Sequence, residues 1–312
     1  MVKVLYIGGM GRSGSTLLEL ILSRISGFLP VGELRYVFER GPGENVLCSC
    51  GAHFRSCPFW DEVGERAFGG WDKLEVAQVL TLWRSLDRHR HIPRLLYPHG
   101  TFAERLAQYL SLLADLYSGI AETSGARVVV DSSKDPTYAF LLRHVRELDL
   151  RLLHLVRDPR AVAYAWTKRV RRPEVVAEAQ FMRRVSPAKM ALLWMDFNLL
   201  CHALGATQMP RLRLRYEDFV AAPRQGLDSI LALTGEQAED LPFHDGTRTF
   251  EPAPVHTISG NPIRFRSGPI AVLPDEAWKA VFDVRRRRVV TALTWPLLHA
   301  YGYGGRVGKS VR

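Results

Sequence analysis

The chain has 312 residues, 47% of them hydrophobic and 24% charged, a balance that supplies a sizeable core and excludes a disordered tail protein. A formal net charge of +10 calls for an anionic partner, whether nucleotide cofactor, nucleic acid, acidic substrate or membrane surface, without choosing among them. No apolar run reaches the roughly 18 residues of a membrane span, and Met1 leads straight into a strand-like segment without a signal-peptide core, so a cytoplasmic protein is expected.

In chain order, residues 2–7 read as a short buried strand. Gly8, Gly9, Gly11 and Gly14 then form a loop, and residues 15–22 carry a helical apolar pattern. The stretch from about 32 to 126 is mostly helical and rich in aromatic residues and histidine. It reads as an insertion over the sheet's carboxyl edge, where ligands bind in open α/β folds. Inside it, Thr101 and Glu104 have capping-box spacing and open a long helix that ends near Gly125. Residues 127–131 read as a strand, followed by helical material from Pro136 to about Leu148, and residues 151–156 as another strand. Asp158-Pro159 opens a helix to about Val170, Ser186-Pro187 opens one through Leu204, and residues 211–215 form a further strand with a short helical segment after it. Arg285 to Arg288 lie in a late helix and read as a solvated face. Strands alternating with helices imply an α/β fold, a mostly parallel central sheet flanked by helices. With no repeat or linker, residues 1–312 are expected to form one elaborated domain.

Two motifs carry chemistry. Gly9 to Gly14 has the G-x-x-x-x-G frame of a phosphate-binding loop, in which backbone N–H groups and a helix N-terminus face an anion. Ser15 stands where a nucleoside-triphosphatase loop needs lysine, which weighs against that reading even though Val128 to Asp131 resembles a Walker B strand. Arg12 supplies positive charge instead. The second motif is Leu152 to Val162, where a buried strand delivers Arg157 to the sheet edge just before Asp158 and Pro159 start a helix. Arg157 there meets a phosphate or pairs with a carboxylate.

Together these segments resemble the sulfotransferases that use 3′-phosphoadenosine-5′-phosphosulfate (PAPS), especially their bacterial, carbohydrate and protein-tyrosine branches, over nearly the whole chain. Gly11-Arg12-Ser13-Gly14-Ser15-Thr16-Leu17-Leu18 is similar to that family's 5′-phosphosulfate loop, which implies cofactor contacts from Gly11, Arg12, Ser13, Gly14, Ser15 and Thr16. Leu155 to Val162 is similar to its 3′-phosphate motif, with Arg157 as the anion-binding residue. Val31-Gly32-Glu33-Leu34-Arg35 resembles the segment whose carboxylate is the catalytic base in the protein-tyrosine branch, and Ser133-Lys134-Asp135-Pro136 the segment bearing a catalytic lysine. Leu214 to Asp218 resembles the strand whose tyrosine, here Tyr216, lies near the adenine. Gly260 to Phe265, familiar from bacterial members, adds Arg264 to the implied cofactor set.

The resemblance implies a P-loop-like sulfotransferase fold with the helical insertion over the active-site edge. It also implies transfer of a sulfuryl group from PAPS to a hydroxyl of a small-molecule, glycan or lipid acceptor. One departure is Ala165, where the family usually has a serine on the 3′-phosphate. Ser13, Arg264 or a guanidinium from 169–172 would have to compensate.

In-line sulfuryl transfer needs a positive cradle, a cation near the moving oxygens and a base for the acceptor, roles open to Arg12, Lys134 and Glu33. A sulfuryl group carries less charge than a phosphoryl group, so no divalent metal is demanded. A Glu33 carboxylate facing a closed, partly apolar pocket is expected to have its pKa raised toward the working pH. The alternatives are a P-loop small-molecule kinase and a basic RNA- or membrane-surface binder, the latter lacking any RNA-recognition motif, so no nucleic-acid partner is expected.

Cys48, Cys50 and Cys57 with His53 would count to four zinc ligands, but C-x-C followed by a distant third cysteine lacks paired C-x-x-C knuckles. A loop-tightening disulfide and packed thiols remain open beside zinc. This loop again resembles actinobacterial sulfotransferases, which implies a structural role near the acceptor pocket. His53 is the reserve general base, His154 reads as a satisfied core histidine, and Phe54, Phe59, Trp60, Trp71, Trp83 and Tyr97 line the acceptor pocket or form core.

Overall fold

Alternation along the first strand sorts the molecule into layers. In β1 (Val2–Gly8), Val4 and Tyr6 face one side and Leu5 and Ile7 the other, all fully buried, so both faces must be covered. The computed structural model describes residues 1–175, 180–243 and 246–304. In it β1 is the centre of a parallel five-stranded sheet ordered β2-β3-β1-β4-β5, with β2 (Phe28–Gly32), β3 (Val128–Lys134), β4 (Leu148–Val156) and β5 (Arg211–Arg215). The sequence reading missed β2, a five-residue segment containing Pro30. Proline is tolerated there because β2 is an edge strand.

The helices are α1 (Ser15–Leu22), α2 (Pro58–Phe68), α3 (Val76–Leu86), α4 (Ile92–Leu96), α5 (Gly100–Ser124), α6 (Pro136–Leu142), α7 (Pro159–Thr167), α8 (Pro187–Gly205), α9 (Tyr216–Ala221), α10 (Pro223–Thr234), α11 (Ala277–Val281) and α12 (Val284–Ala300). Leu5, Ile7, Val128, Val130, Leu153 and Leu155 pack under α1, α9 and α10. Val4, Tyr6, Val129, Leu150 and Leu152 pack under α2 to α6. Most of the segment expected over the sheet's edge is therefore a layer on one face. A third cluster joins Val156 and α7 to α8, α11 and α12.

Helix boundaries differ from expectation for local reasons. The helix after β3 stops at Leu142 instead of running to Leu148, because Leu148 already pairs with Val2 in β4. The capping box does not form: His99, extended at φ −150°, is the N-cap of α5 and its side chain caps nothing, while the helix ends as expected at Gly125 in the left-handed region. Helix α7 ends at Thr167, where Lys168 turns extended. Ser186 precedes α8, as expected, and α12 carries the exposed Arg285, Arg286 and Arg288. His154 is buried and its Nε2 lies 2.8 Å from Asn198 Oδ1, a satisfied core histidine. Among the described residues no helix is long and apolar enough to cross a membrane.

Candidate active site

Strand order reverses between β1 and β4, and in open α/β sheets such a switch point opens a crevice at the carboxyl ends. A cleft of about 790 Å³ lies there. Its floor is the glycine loop. Gly9 has φ 128°, and a Cβ on it would sit 2.3 Å from the Leu155 carbonyl oxygen, so the loop can cross β4 only as glycine. Gly14, at φ 96°, carries the Tyr216 ring so close that a Cβ would fall 2.4 Å from it. Between them Arg12 holds the left-handed conformation without being glycine, a strained arrangement of the kind that gathers at functional sites. The loop runs into α1, whose free N–H groups face the cleft where Ser15 and Thr16 line it.

The cations around this loop come from several elements. Arg12 lies 5.5 Å from the Trp166 ring, with a guanidinium nitrogen 2.7 Å from Met182 Sδ. Arg157, at the end of β4, donates to the Arg12 carbonyl at 3.0 Å and to the Asp275 carboxylate at 2.8 Å, and stands 4.6 Å from the Tyr216 ring. Its Nε and the buried Ser13 hydroxyl have no hydrogen-bond partner among the described residues. Ala165, Lys168 and Arg172 line the same wall, Arg172 being paired with Glu174 at 2.9 Å.

At the other end, the chain leaving β2 places Glu33 beside Lys134, which ends β3 at φ 68°. Lys134 Nζ donates to Glu33 Oε1 at 2.7 Å and to the Ser132 carbonyl at 2.6 Å. This pair corrects the expected pKa direction. Burial alone pushes the Glu33 carboxyl up, but the Lys134 ammonium, the Arg40 guanidinium and hydrogen bonds from Lys134 and Ser259 outweigh it and hold the group below the ordinary glutamate value. Arg40 was not singled out from sequence. It donates to Ser259 Oγ and stands 4.8 Å from the Tyr36 ring.

Beneath the pair lies Glu19 of α1, whose Oε1 accepts the Gly32 N–H at 3.0 Å and so fixes the residue before Glu33. Burial pushes Glu19 up to about 8 from a reference of 4.5, with Lys134 only partly opposing. Between those values the folded protein holds a proton that the unfolded chain has lost. Its contribution therefore falls with rising pH, by up to about 1.4 kcal/mol per unit. Glu19→Gln keeps the acceptor oxygen and cannot ionise. Urea denaturation between about pH 5 and pH 8 should show that slope removed in the variant, and an unchanged slope would mean the carboxyl is already ionised when buried.

The wall beyond Lys134 is a charged network. Arg35 Nε donates to Asp87 Oδ2 at 2.6 Å, Arg35 reaches Asp135 Oδ2 at 3.3 Å, and Trp83 Nε1 donates to Asp87 at 2.6 Å. His89 bridges Asp135, at 3.5 Å, and Asp196, at 2.6 Å, and packs on Phe197. The aromatic residues lining the cleft are Tyr36, Trp166, Phe181, Phe197 and Tyr216. Of those proposed from sequence, Phe54, Trp60, Trp71 and Trp83 are core, Phe59 packs against it and Tyr97 is exposed.

The glycine loop (Gly11, Arg12, Gly14, Ser15, Thr16), Glu33, Lys134, Arg157 and Tyr216 thus meet in one cleft. Ser13 lies buried just behind it. Arg264 does not line the cleft: it is buried, donating to the Thr257 and Leu47 carbonyls, and holds the loop that returns Asn261 to within 3.2 Å of Thr16 Oγ1. His53 is also outside, exposed with Nδ1 2.8 Å from the Asn45 carbonyl, which removes it as reserve base. Asp131 is enclosed, accepting from Tyr117 at 2.5 Å and from the Ser133 N–H and hydroxyl, so the Walker B likeness ends in the core.

An open parallel sheet with a phosphate-type loop and an arginine facing each other across its switch point is a P-loop-like α/β architecture. A model of the Sulfotransferase family matches residues 5–240, and the chain belongs to that family. No curated protein matches it in sequence. Among solved structures it is similar to the sulfotransferase domain from the Synechococcus PCC 7002 olefin synthase, at 18% identity and a TM-score of 0.55, covering 97% of this chain and 96% of that one. It is also similar to the sulfotransferase domain from the curacin biosynthetic pathway, at 19% identity and a TM-score of 0.49, covering 94% and 98%.

Proposed function

We propose that the protein is a single-domain enzyme that transfers the sulfuryl group of PAPS to a hydroxyl of a small-molecule, glycan or lipid acceptor. The observation that carries this is the joining, in one cleft, of a glycine loop lacking the Walker lysine, a buried arginine and a Lys–Glu pair. The residues suit an anionic nucleotide: the Ser13 hydroxyl and Arg157 Nε are buried with no hydrogen-bond partner among the described residues, and the loop N–H groups face the cleft. When bound, PAPS supplies the activated sulfuryl group. Gly11, Arg12, Gly14, Ser15 and Thr16 would hold the 5′ end, and Arg157 and Tyr216 the 3′-phosphate and adenine. Arg264 would act only through the loop it supports.

Glu33 takes the acceptor proton on a carboxylate oxygen, and Lys134 stabilises negative charge beside it. While Lys134 remains on Glu33 the carboxylate is a weak base. A competing anion that draws the ammonium away restores its basicity, which couples donor binding to acceptor activation. This chemistry assigns no role to a metal, and no nucleic-acid partner is proposed.

Radiolabelled PAPS and Mg-ATP, offered with a panel of hydroxylated acceptors, test the reading against the kinase alternative. Label should pass from PAPS and not from ATP, and adenosine 3′,5′-bisphosphate should raise the melting temperature where Mg-ATP does not. Label from ATP, or no stabilisation by the bisphosphate, overturns it.

A further inference from the structure

The cysteine loop lies outside the cleft and the proposed chemistry does not use it, yet it closes around a group that sequence reasoning did not pair with it. Cys57 Sγ lies 3.7 Å from Cys48 Sγ and 3.6 Å from Cys50 Sγ. His256, from the distant segment between β6 (Thr249–Phe250) and β7 (Ile270–Ala271), turns its Nδ1 to within 3.2 Å of Cys57 Sγ and 3.8 Å of Cys48 Sγ. All four atoms lie within 4.8 Å of one another. We infer that Cys48, Cys50, Cys57 and His256 form a structural Zn(II) site.

The dimensions fit a tetrahedral ion. With Zn–S near 2.3 Å and Zn–N near 2.0 Å, the edges of the tetrahedron are about 3.8 Å between sulfurs and about 3.5 Å between sulfur and nitrogen. Four of the six separations already stand near those lengths. Cys50, the exposed member, can close the rest by rotating its side chain.

The surroundings suit thiolate ligands and a fixed imidazole. The Cys50 N–H bonds Cys48 sulfur and the Trp60 N–H bonds Cys57 sulfur, spreading thiolate charge into the backbone. The His256 ring stacks on Phe59 with centroids 4.9 Å apart, and its carbonyl accepts from Trp60 Nε1 at 2.9 Å. Gly51, at φ 90°, turns the chain so that the Gly51 N–H bonds the Cys48 carbonyl. His53, the histidine adjacent in sequence, is held away by Asn45.

Such a site is a clip across the fold. Cys57 and His256 are 199 residues apart, so one ion would close a very long loop. Beside it Ser49 is stitched to the same segment, its N–H to the Thr257 carbonyl at 2.9 Å and its hydroxyl to the Val255 carbonyl at 2.6 Å. That segment continues to Ser259, which meets Arg40, and to Asn261, which meets Thr16. The ion would therefore hold the cleft's far wall in register while taking no part in the chemistry, because four protein ligands leave no open position.

The full-length protein, produced with zinc and purified under reducing, chelator-free conditions, should carry one zinc per chain by elemental mass spectrometry. Cobalt exchanged into it should give tetrahedral d–d bands with thiolate charge transfer. Cys50→Ser alters only an exposed side chain and should fold. Its zinc affinity, measured by chelator competition, should fall by more than the roughly 10- to 100-fold typical of losing an outer partner. His256→Ala should lose metal and His53→Ala should keep it. A metal-free protein that takes up neither zinc nor cobalt, a disulfide among these cysteines under the same conditions, or metal binding that follows His53 instead of His256 overturns the assignment.

Discussion

Glu33→Gln should lower turnover by roughly 10²- to 10⁴-fold, the range for losing a general base, while nucleotide affinity stays nearly unchanged. The substitution keeps the side chain's shape and leaves the glycine loop and Arg157 untouched. It removes the carboxylate that Lys134 reaches at 2.7 Å. Lys134→Ala should also cut turnover, through lost charge stabilisation, and the pH profile tells the two apart. Glu33 acts as a base only when ionised, so its pKa sets the acid limb of kcat/KM, which should lie below the ordinary glutamate range in the unaltered enzyme. Without Lys134, burial is opposed mainly by Arg40, and the limb should move to higher pH. In Glu33→Gln it should vanish. Near-normal turnover in Glu33→Gln would move the base to the neighbouring Asp135, which lines the cleft and has His89 3.5 Å away.

What the sequence disclosed follows from how local each feature is. Four strands were legible from short local patterns, an apolar run in Val128–Val130 and the alternation of leucine with arginine in Arg211–Arg215. The edge strand β2 was not, being five residues with a proline in the middle. The glycine loop and the Arg157 segment are contiguous motifs, so both can be picked out without knowing the fold. Their partners are far away in the chain: Asp275 is 118 residues beyond Arg157, and Arg35 meets Asp87 across 52. The pKa of Glu33 was expected in the wrong direction for the same reason, since burial can be guessed from one residue but an ion pair needs two. Aromatic residues misled because a core and a pocket call for the same side chains. Trp60 and Trp71 are enclosed, whereas Trp166, Phe181 and Phe197 reach the cleft from segments with no motif.

Adenosine 3′,5′-bisphosphate should bind at least about tenfold more tightly than 5′-AMP, and Arg157→Ala should erase that preference, since a hydrogen bond to a charged group contributes roughly 1.5–3 kcal/mol. The guanidinium is already partly committed. One terminal nitrogen is fixed by the Arg12 carbonyl at 3.0 Å, which aims the group, and Nε has no partner among the described residues. The other terminal nitrogen is held by Asp275 at 2.8 Å, so a phosphate arriving there must displace or share a carboxylate that is itself partly exposed. Burial pushes the Asp275 carboxyl up, but Arg157's hydrogen bond and charge hold it below the usual range, so it stays ionised and competes throughout the neutral range. Asp275→Asn should therefore tighten the bisphosphate and leave 5′-AMP nearly unchanged, the opposite of what Arg157→Ala does. Calorimetry on both nucleotides, with circular dichroism to verify folding, separates the cases. Equal affinity for the two nucleotides in the unaltered protein, or a parallel loss of both in Arg157→Ala, would place the second phosphate somewhere other than Arg157.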